Sequence, residues 1–287
     1  MPNSAQFAQK FIPMLDEVYK NASLTAQLDG ADELARQGAN ANEMVIPMLS
    51  MQGMADYDPN SGYVQGDVTL TNQTVKCNYD RGRMFAVDTV EDADTAGIYF
   101  GRLAGEFIRT RVVPELDAFR FAAYAGAAHV GKKQESLASG TAVLTALREA
   151  STKMDEAEVP MEDRHLFITP TLQGMIADLD ATKSRAVLDR FASVTLVPQS
   201  RFYTKIELTA DGEGGYKKAA DGGADINFMI LHREALIQFE KHVAPKIVEP
   251  AQNQTADAYK FGYRCVGIAQ VCQQKAAGVY VSHKAAA

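Results

Sequence analysis

The chain has 287 residues, of which 46% are hydrophobic and 23% charged, and a formal net charge of −7. That length carries one or two domains with a full core, and the balance is that of a globular protein. No apolar run approaches the ~20 residues that cross a bilayer, and Lys132-Lys133 and Lys217-Lys218 are isolated pairs, not the clustered cations that grip a nucleic-acid backbone. Cys77, Cys265 and Cys272 form an odd set without metal-ligand spacing, which excludes a disulfide scaffold and suits a reducing compartment. The first ten residues lack the basic-then-apolar order of a secretory signal.

In chain order, Phe7, Phe11, Leu15 and Val18 fall at helical spacing and predict a short amphipathic arm. Residues 28–42, rich in Ala, Gly, Asp and Asn, read either as a surface connector or as an arm laid on a neighbour. Met44 to Met48 open an extended, Met-rich segment, and Asp58-Pro59-Asn60-Ser61-Gly62 is turn chemistry. Val64, Gly66, Val68 and Leu70 alternate with polar residues. After a polar turn at Thr71 to Thr74, Val75, Cys77 and Tyr79 alternate again, which predicts a β-hairpin with one apolar face. A ribbon of that kind has little core of its own, so the face packs either on its own domain or on another subunit. Met44, Met48, Met51 and Met54 fit the same choice between core and contact surface.

From Glu91 the period becomes helical. Phe100, Leu103, Phe107, Val113, Leu116 and Phe119 predict a long helix to about His129, with Asp92 and Asp94 at its start and Pro114 kinking it. Residues 131–140 break the pattern. A helix through Val143, Leu147 and Ala150 follows, then a buried strand at His165 to Thr169 stopped by Pro170, and a helix from Thr171 to Leu179. Strands are expected at Val194–Val197, Asn227–His232, Ala235–Phe239 and Val243–Val248, with a Gly- and Asp-rich loop between Leu208 and Asp225. Strand-like content returns from Phe261 to Val281. The mixture defines an α+β fold.

Catalytic chemistry is poorly represented. Gly126-Ala127-Ala128-His129-Val130-Gly131-Lys132-Lys133 matches a phosphate-binding loop until its last position, where Lys133 replaces the hydroxyl residue that holds magnesium. It also closes a predicted helix instead of opening one. A nucleotide-binding enzyme using Gly126 to Lys132 is thus the reading of another class, and a disfavoured one. His129, His165, His232, His242 and His283 lack paired zinc spacing, although His232 and His242 fall on predicted neighbouring strands. Asp155, Glu156 and Glu158 read as solvated charges. No catalytic, cofactor-binding or metal-binding residue is expected, and the chain reads as no enzyme.

The order of parts, from arm to hairpin, long helix, compact α+β unit and returning strands, resembles the Hong Kong-type capsid fold of tailed-bacteriophage major capsid proteins. Several stretches carry the resemblance jointly: Asp56–Asp58 with Gly62–Leu70, Asp80–Arg83 with Phe85–Asp88, Val112–Arg120, Ile168–Pro170, Val197–Thr204 and Asp257–Arg264. The resemblance implies an N-terminal arm at 1–42, an extended hairpin loop at 43–90 and a peripheral domain with a spine helix at 91–138. A compact axial domain would follow at 139–250, and peripheral strands would return at 251–287. It implies a subunit that assembles with itself into hexamers and pentamers, forming an icosahedral shell around double-stranded DNA without sequence-specific binding. Portal, scaffolding and decoration proteins are the other partners it implies. The location would be the virion, assembled in the bacterial host cytoplasm and not in a membrane. The passage from Met1 almost directly into the arm implies a separate scaffold or none, and no motif supports covalent crosslinking through Lys76. An encapsulin-like compartment shell is the alternative within the same fold.

Overall fold

A computed structural model describes residues 23–30, 36–37, 43–57, 59, 62–89, 98–179, 181–210 and 215–286. The expected amphipathic arm (Phe7 to Val18), Asp92 and Asp94 at the start of the long helix, and parts of the connector at 31–42 and of the turn at 58–62 lie outside them. The strands are β1 (Arg36–Gln37), β2 (Glu43–Met51), β3 (Val68–Lys76), β4 (Tyr79–Asp88), β5 (Gly131–Gln134), β6 (Arg164–Ile168) and β7 (Ser193–Leu196). They continue as β8 (Ile206–Leu208), β9 (Tyr216–Lys218), β10 (Ile226–His232), β11 (Leu236–Val248), β12 (Ala258–Val271) and β13 (Val279–His283). The helices are α1 (Ile98–Phe107), α2 (Val113–Gly126), α3 (Gly140–Glu156), α4 (Pro170–Ala177) and α5 (Ala181–Leu188).

A five-stranded mixed sheet runs β5-β13-β10-β6-β7. Its strands β6 and β10 are buried throughout, because period two sends alternate residues to two covered faces. Leu166, Ile168, Phe228 and Ile230 pack with Val143, Leu147, Ala150 and Met154 of α3. Phe167, Met229 and Leu231 turn the other way, onto Phe121 and Tyr124 of α2. There Phe121 lies edge-on between Phe167 and Phe202, with ring centroids 5.2 and 5.0 Å away. Burying each such side chain contributes about 1.5–3 kcal/mol. Ser139 caps α3 by accepting from the Ala142 N–H, an N-cap interaction that Ala could not make.

The second sheet, β11-β12-β4, packs on α1 and the start of α2 through Ala104, Ile108, Val113, Leu116, Phe261, Tyr263 and Cys265. One continuous helical run therefore lies across both sheets. Within it Ile108–Val112 forms a π turn, in which the Val113 N–H reaches back five residues to the Ile108 carbonyl. The widened turn immediately precedes Pro114. Proline has no N–H and its ring crowds the carbonyl four residues earlier. A π turn moves that carbonyl aside and lets Pro114 start α2 much as proline starts an ordinary helix. The kink expected from the sequence is thus a local change of helix type.

Several expectations are corrected. The hairpin pairs β3 with the upstream Met-rich strand β2, from Glu43↔Lys76 to Met51↔Val68. Thr71 to Thr74 is strand and not a turn, and the tip is 52–67. Residues 131–134, read as a break, form β5 in parallel with β13. Ala235–Phe239 and Val243–Val248 belong to one strand, β11, bulged between Glu240 and His242. Tyr216–Lys218 pairs with Ile206–Leu208, so the Gly-rich stretch tips a two-stranded ribbon, with 211–214 outside the described residues. β11 joins β4 and β12 in one sheet, and β13 returns to the sheet of β6 and β10. Proline 114 offers a check. Pro114→Ala restores a donor the π turn already does without and loosens the unfolded chain, effects that oppose each other. Its unfolding free energy by denaturant titration is expected within about 1 kcal/mol of wild type, and a loss of several kcal/mol would contradict this account of the π turn.

Candidate functional site

The most unusual surface is the hairpin β2–β3. Its root is anchored. Val75 is 1% exposed and joins Ile237 and Ile268, with Cys77, Phe239 and Cys272 alongside. Where β3 passes into β4, the Asn78 side chain donates to the Ala269 carbonyl at 2.8 Å and accepts from the Ala269 N–H at 3.0 Å. An amide side chain thus continues the ladder that β4 and β12 make from Tyr79↔Gly267 onward.

Beyond the root the burial ends. Val68 and Leu70 are 65% and 64% exposed, and Met51, Met54, Tyr57, Tyr63 and Val64 are exposed with them. The neck is tied by the Gln52 N–H on the Asp67 carbonyl and the Asp67 N–H on Gln52 Oε1. Above it the rings of Tyr57 and Tyr63 lie 5.0 Å apart. Contiguous apolar side chains facing water mark a contact surface. The alternation read from the sequence is therefore divided: Val75 and Tyr79 serve the chain's own core, whereas Val64, Val68 and Leu70 do not.

A second feature was invisible in the sequence. Residues 23–30 clasp the body through a buried polar network centred on Asp117 of α2, which is fully buried. Asp117 accepts from Ser23 Oγ at 2.9 Å, Thr25 Oγ1 at 2.8 Å and the Leu24 N–H at 3.1 Å, with Arg201 at 3.5 Å. One turn on, Arg120 donates to Thr25 Oγ1 and to Glu240 Oε1, both at 2.7 Å. Gln238 of β11 donates to the Thr25 carbonyl and to Asp29 Oδ1, and accepts from the Tyr124 hydroxyl. Burial pushes that tyrosine's pKa well above the ordinary phenol range. Leu28 is fully buried in the main core, so the connector expected from residue 28 begins inside the body. The signal available was a polar stripe, Asp117, Arg120 and Tyr124, at helical spacing on an otherwise apolar helix.

The remaining candidates disperse. Gly126 ends α2 and Lys132-Lys133 lie on β5, so the phosphate-loop match sits at a helix C-terminus, where the dipole repels anions. Lys133 is held by Glu135 and Glu149. His232 lies on β10 and His242 on β11, which belong to different sheets and are not neighbouring strands. On the β6–β10 ladder His232 stands opposite Arg164, and His165 stands opposite Leu231. Burial lowers the pKa of both imidazoles, and His165 Nδ1 lies 2.8 Å from Ser193 Oγ. Asp155 is no solvated charge: it pairs with buried Arg164 at 2.7 Å and with Arg190 at 3.3 Å. Cys265 is buried in the second sheet, its thiol pushed up to about 12 by desolvation. Among the described residues no helix is long and apolar enough to cross a membrane, and no group of three or more His, Cys, Asp or Glu side chains is placed to hold a metal ion.

No family model and no curated protein sequence matches the chain. Its structure is similar to a chain of Gordonia phage Cozz, at 16% identity and a TM-score of 0.61 over 92% of this chain and 87% of that one. It is similar to the capsid of Ralstonia phage GP4, at 11% identity and a TM-score of 0.56 over 90% and 87%. It is also similar to a virus-like particle from Pyrococcus furiosus, at 10% identity and a TM-score of 0.60 over 96% and 98%. The chain has the Hong Kong-type capsid fold.

Removing the acceptor at the centre of the clasp strands buried donors, at a cost of roughly 3–5 kcal/mol. Asp117→Ala is expected to lower stability by that order and to expose residues 23–30 to limited proteolysis. Unchanged melting and an unchanged digestion pattern would show that the network holds nothing.

Proposed function

We propose that the chain is the subunit of a closed protein shell, and that the shell is the icosahedral capsid of a tailed phage, built from hexamers and pentamers around double-stranded DNA. In this reading the hairpin is the extended loop that lies on neighbouring copies, the long helix is the spine of a peripheral domain, and the five-stranded sheet with α3 to α5 belongs to the axial domain. The observation that carries it is the hairpin's exposed apolar face beyond Val75, on a fold similar to that of the Ralstonia phage GP4 capsid. The charge of −7 without a basic cluster suits a container whose wall leaves packed DNA free. The likeness to the Pyrococcus furiosus virus-like particle supports a second reading, an encapsulin-like compartment. Nucleic-acid content separates the two when particles are purified from cells carrying the neighbouring genes.

The test is electron microscopy of the full chain after expression. Wild type is expected to form closed particles. A variant in which residues 46–73 are replaced by Asn-Gly keeps Val75 at the root and joins Val45 to its ladder partner Thr74 through a favoured two-residue turn. It is expected to stay soluble, with unchanged circular dichroism, and to form none. Particles from the trimmed chain, or its global unfolding, would contradict this role for the hairpin.

A further inference from the structure

Resting on the shell reading, we propose that the acidic knuckle between α3 and β6 of one copy, residues 156–163, seats in the groove between α2, β5 and β8 of a second copy. The knuckle carries Glu156, Glu158, Glu162 and Asp163 and no Lys or Arg. All four carboxylate residues are exposed, and so is Met161 among them. None of the four forms an ion pair among the described residues, whereas Asp155 just before them is taken by Arg164 and Arg190.

The knuckle has its shape before any partner arrives. Buried Arg164 donates to the carbonyls of Val159 and Pro160 and to Asp155 Oδ1. The Val159 N–H donates to the Met154 carbonyl at 3.0 Å. Glu158 and Asp163 have φ of +56° and +57°, a backbone region that residues other than glycine seldom enter, and the Arg164 bonds keep the turn in that shape.

The groove is its complement. A cavity of about 610 Å³ is lined by Ala122 and Ala123 of α2 and Ile206 of β8, together with Lys132, Lys205 and His283. The chain has 36 Asp and Glu residues, yet none lines this cavity. Glu135 and Asp225, next to that lining in sequence, are engaged by Lys133 and by Lys218 and Lys284. Lys132 forms no ion pair among the described residues, and Lys205 donates to the Asp221 carbonyl, a neutral acceptor that leaves its charge uncompensated. Opposite potentials on preorganised surfaces give a specific contact, and a methionine adapts to an irregular apolar lining.

The occupant is a second copy because the two surfaces lie at opposite corners of one sheet. Arg164, where the knuckle ends, stands opposite His232 at the end of β10. The start of β10 meets His283, which pairs with Gln134 beside the groove. The length of β10 separates the corners by about 20 Å along the strands, and the strands between β6 and β5 separate them by about 14 Å across. A sheet packed on both faces does not bend one corner onto the other. Matching surfaces at two corners of a rigid unit make a head-to-tail contact, which generates rings when the rotation closes.

Carbodiimide joins a lysine to a carboxylate where the two touch. Applied to particles assembled from mixed isotope-labelled and unlabelled wild-type chains, it is expected to join Lys132 or Lys205 of one chain to residues 156–163 of another. Links between copies that leave out this pairing, or no links at all, overturn the proposal while leaving the shell reading intact. A wild-type chain that forms no particles overturns both. Independently, Lys132→Glu is expected to lower particle yield about tenfold with unchanged subunit melting, and Glu162→Lys added to it is expected to restore yield. Full assembly by Lys132→Glu alone, or no recovery in the double variant, would contradict the charge complementarity.

Discussion

A two-stranded ribbon has two faces, and away from the root of this one its apolar side chains stand exposed among the described residues. Water penalises that arrangement. Seven large apolar side chains between residues 51 and 70 are exposed, and isolated hairpins are marginal at best. The rest of the structure is arranged around this constraint. Val75, the Asn78 amide and the Ile237–Ile268 contact fix the root, so that the ribbon projects from a definite place. Pro47 lies on β2 beyond its short pairing with β1, an edge position where a missing N–H is tolerated.

The body beneath has to be stiff for the projection to mean anything. One helical run covers two sheets, and its polar stripe takes up the segment 23–30. The clasp joins α2, β11 and, through Gln27 with Ser193 and Thr195, the edge of the five-stranded sheet. Buried polar networks of this kind stabilise little relative to apolar packing, yet they tolerate few alternative arrangements. The π turn before Pro114 lets the helix cross from one sheet to the other while Ile108, Val112 and Val113 all remain buried.

Legibility in the sequence followed the range of the interactions. β6 and β10 were readable because a continuous apolar run bounded by Pro170 or by charged residues has one strand-like explanation, and α3 because Val143, Leu147 and Ala150 repeat behind a Ser cap. The hairpin was readable as a hairpin but not in its pairing. Alternation in 64–79 looks the same whether the strand folds on itself or pairs with Glu43–Met51, and Thr71 to Thr74 are as much strand as turn residues. β5, polar and four residues long, becomes a strand only because β13, nearly 150 positions later, lies beside it. The clasp depended on contacts such as those 94 and 213 residues apart, which no local pattern carries. The phosphate-loop match at Gly126 to Lys133 failed in the sequence on its last residue and its context, and the structure places its start at a helix C-terminus.

The claim on which the account turns is that the outer ribbon is completed by another copy of the chain. Amide hydrogen exchange, compared between isolated subunits and assembled particles, addresses it directly. The account predicts that amides of residues 52–70 exchange quickly in the subunit and become strongly protected on assembly, while those of β6 and β10 are protected in both. Equal exchange of 52–70 in the two states would contradict it.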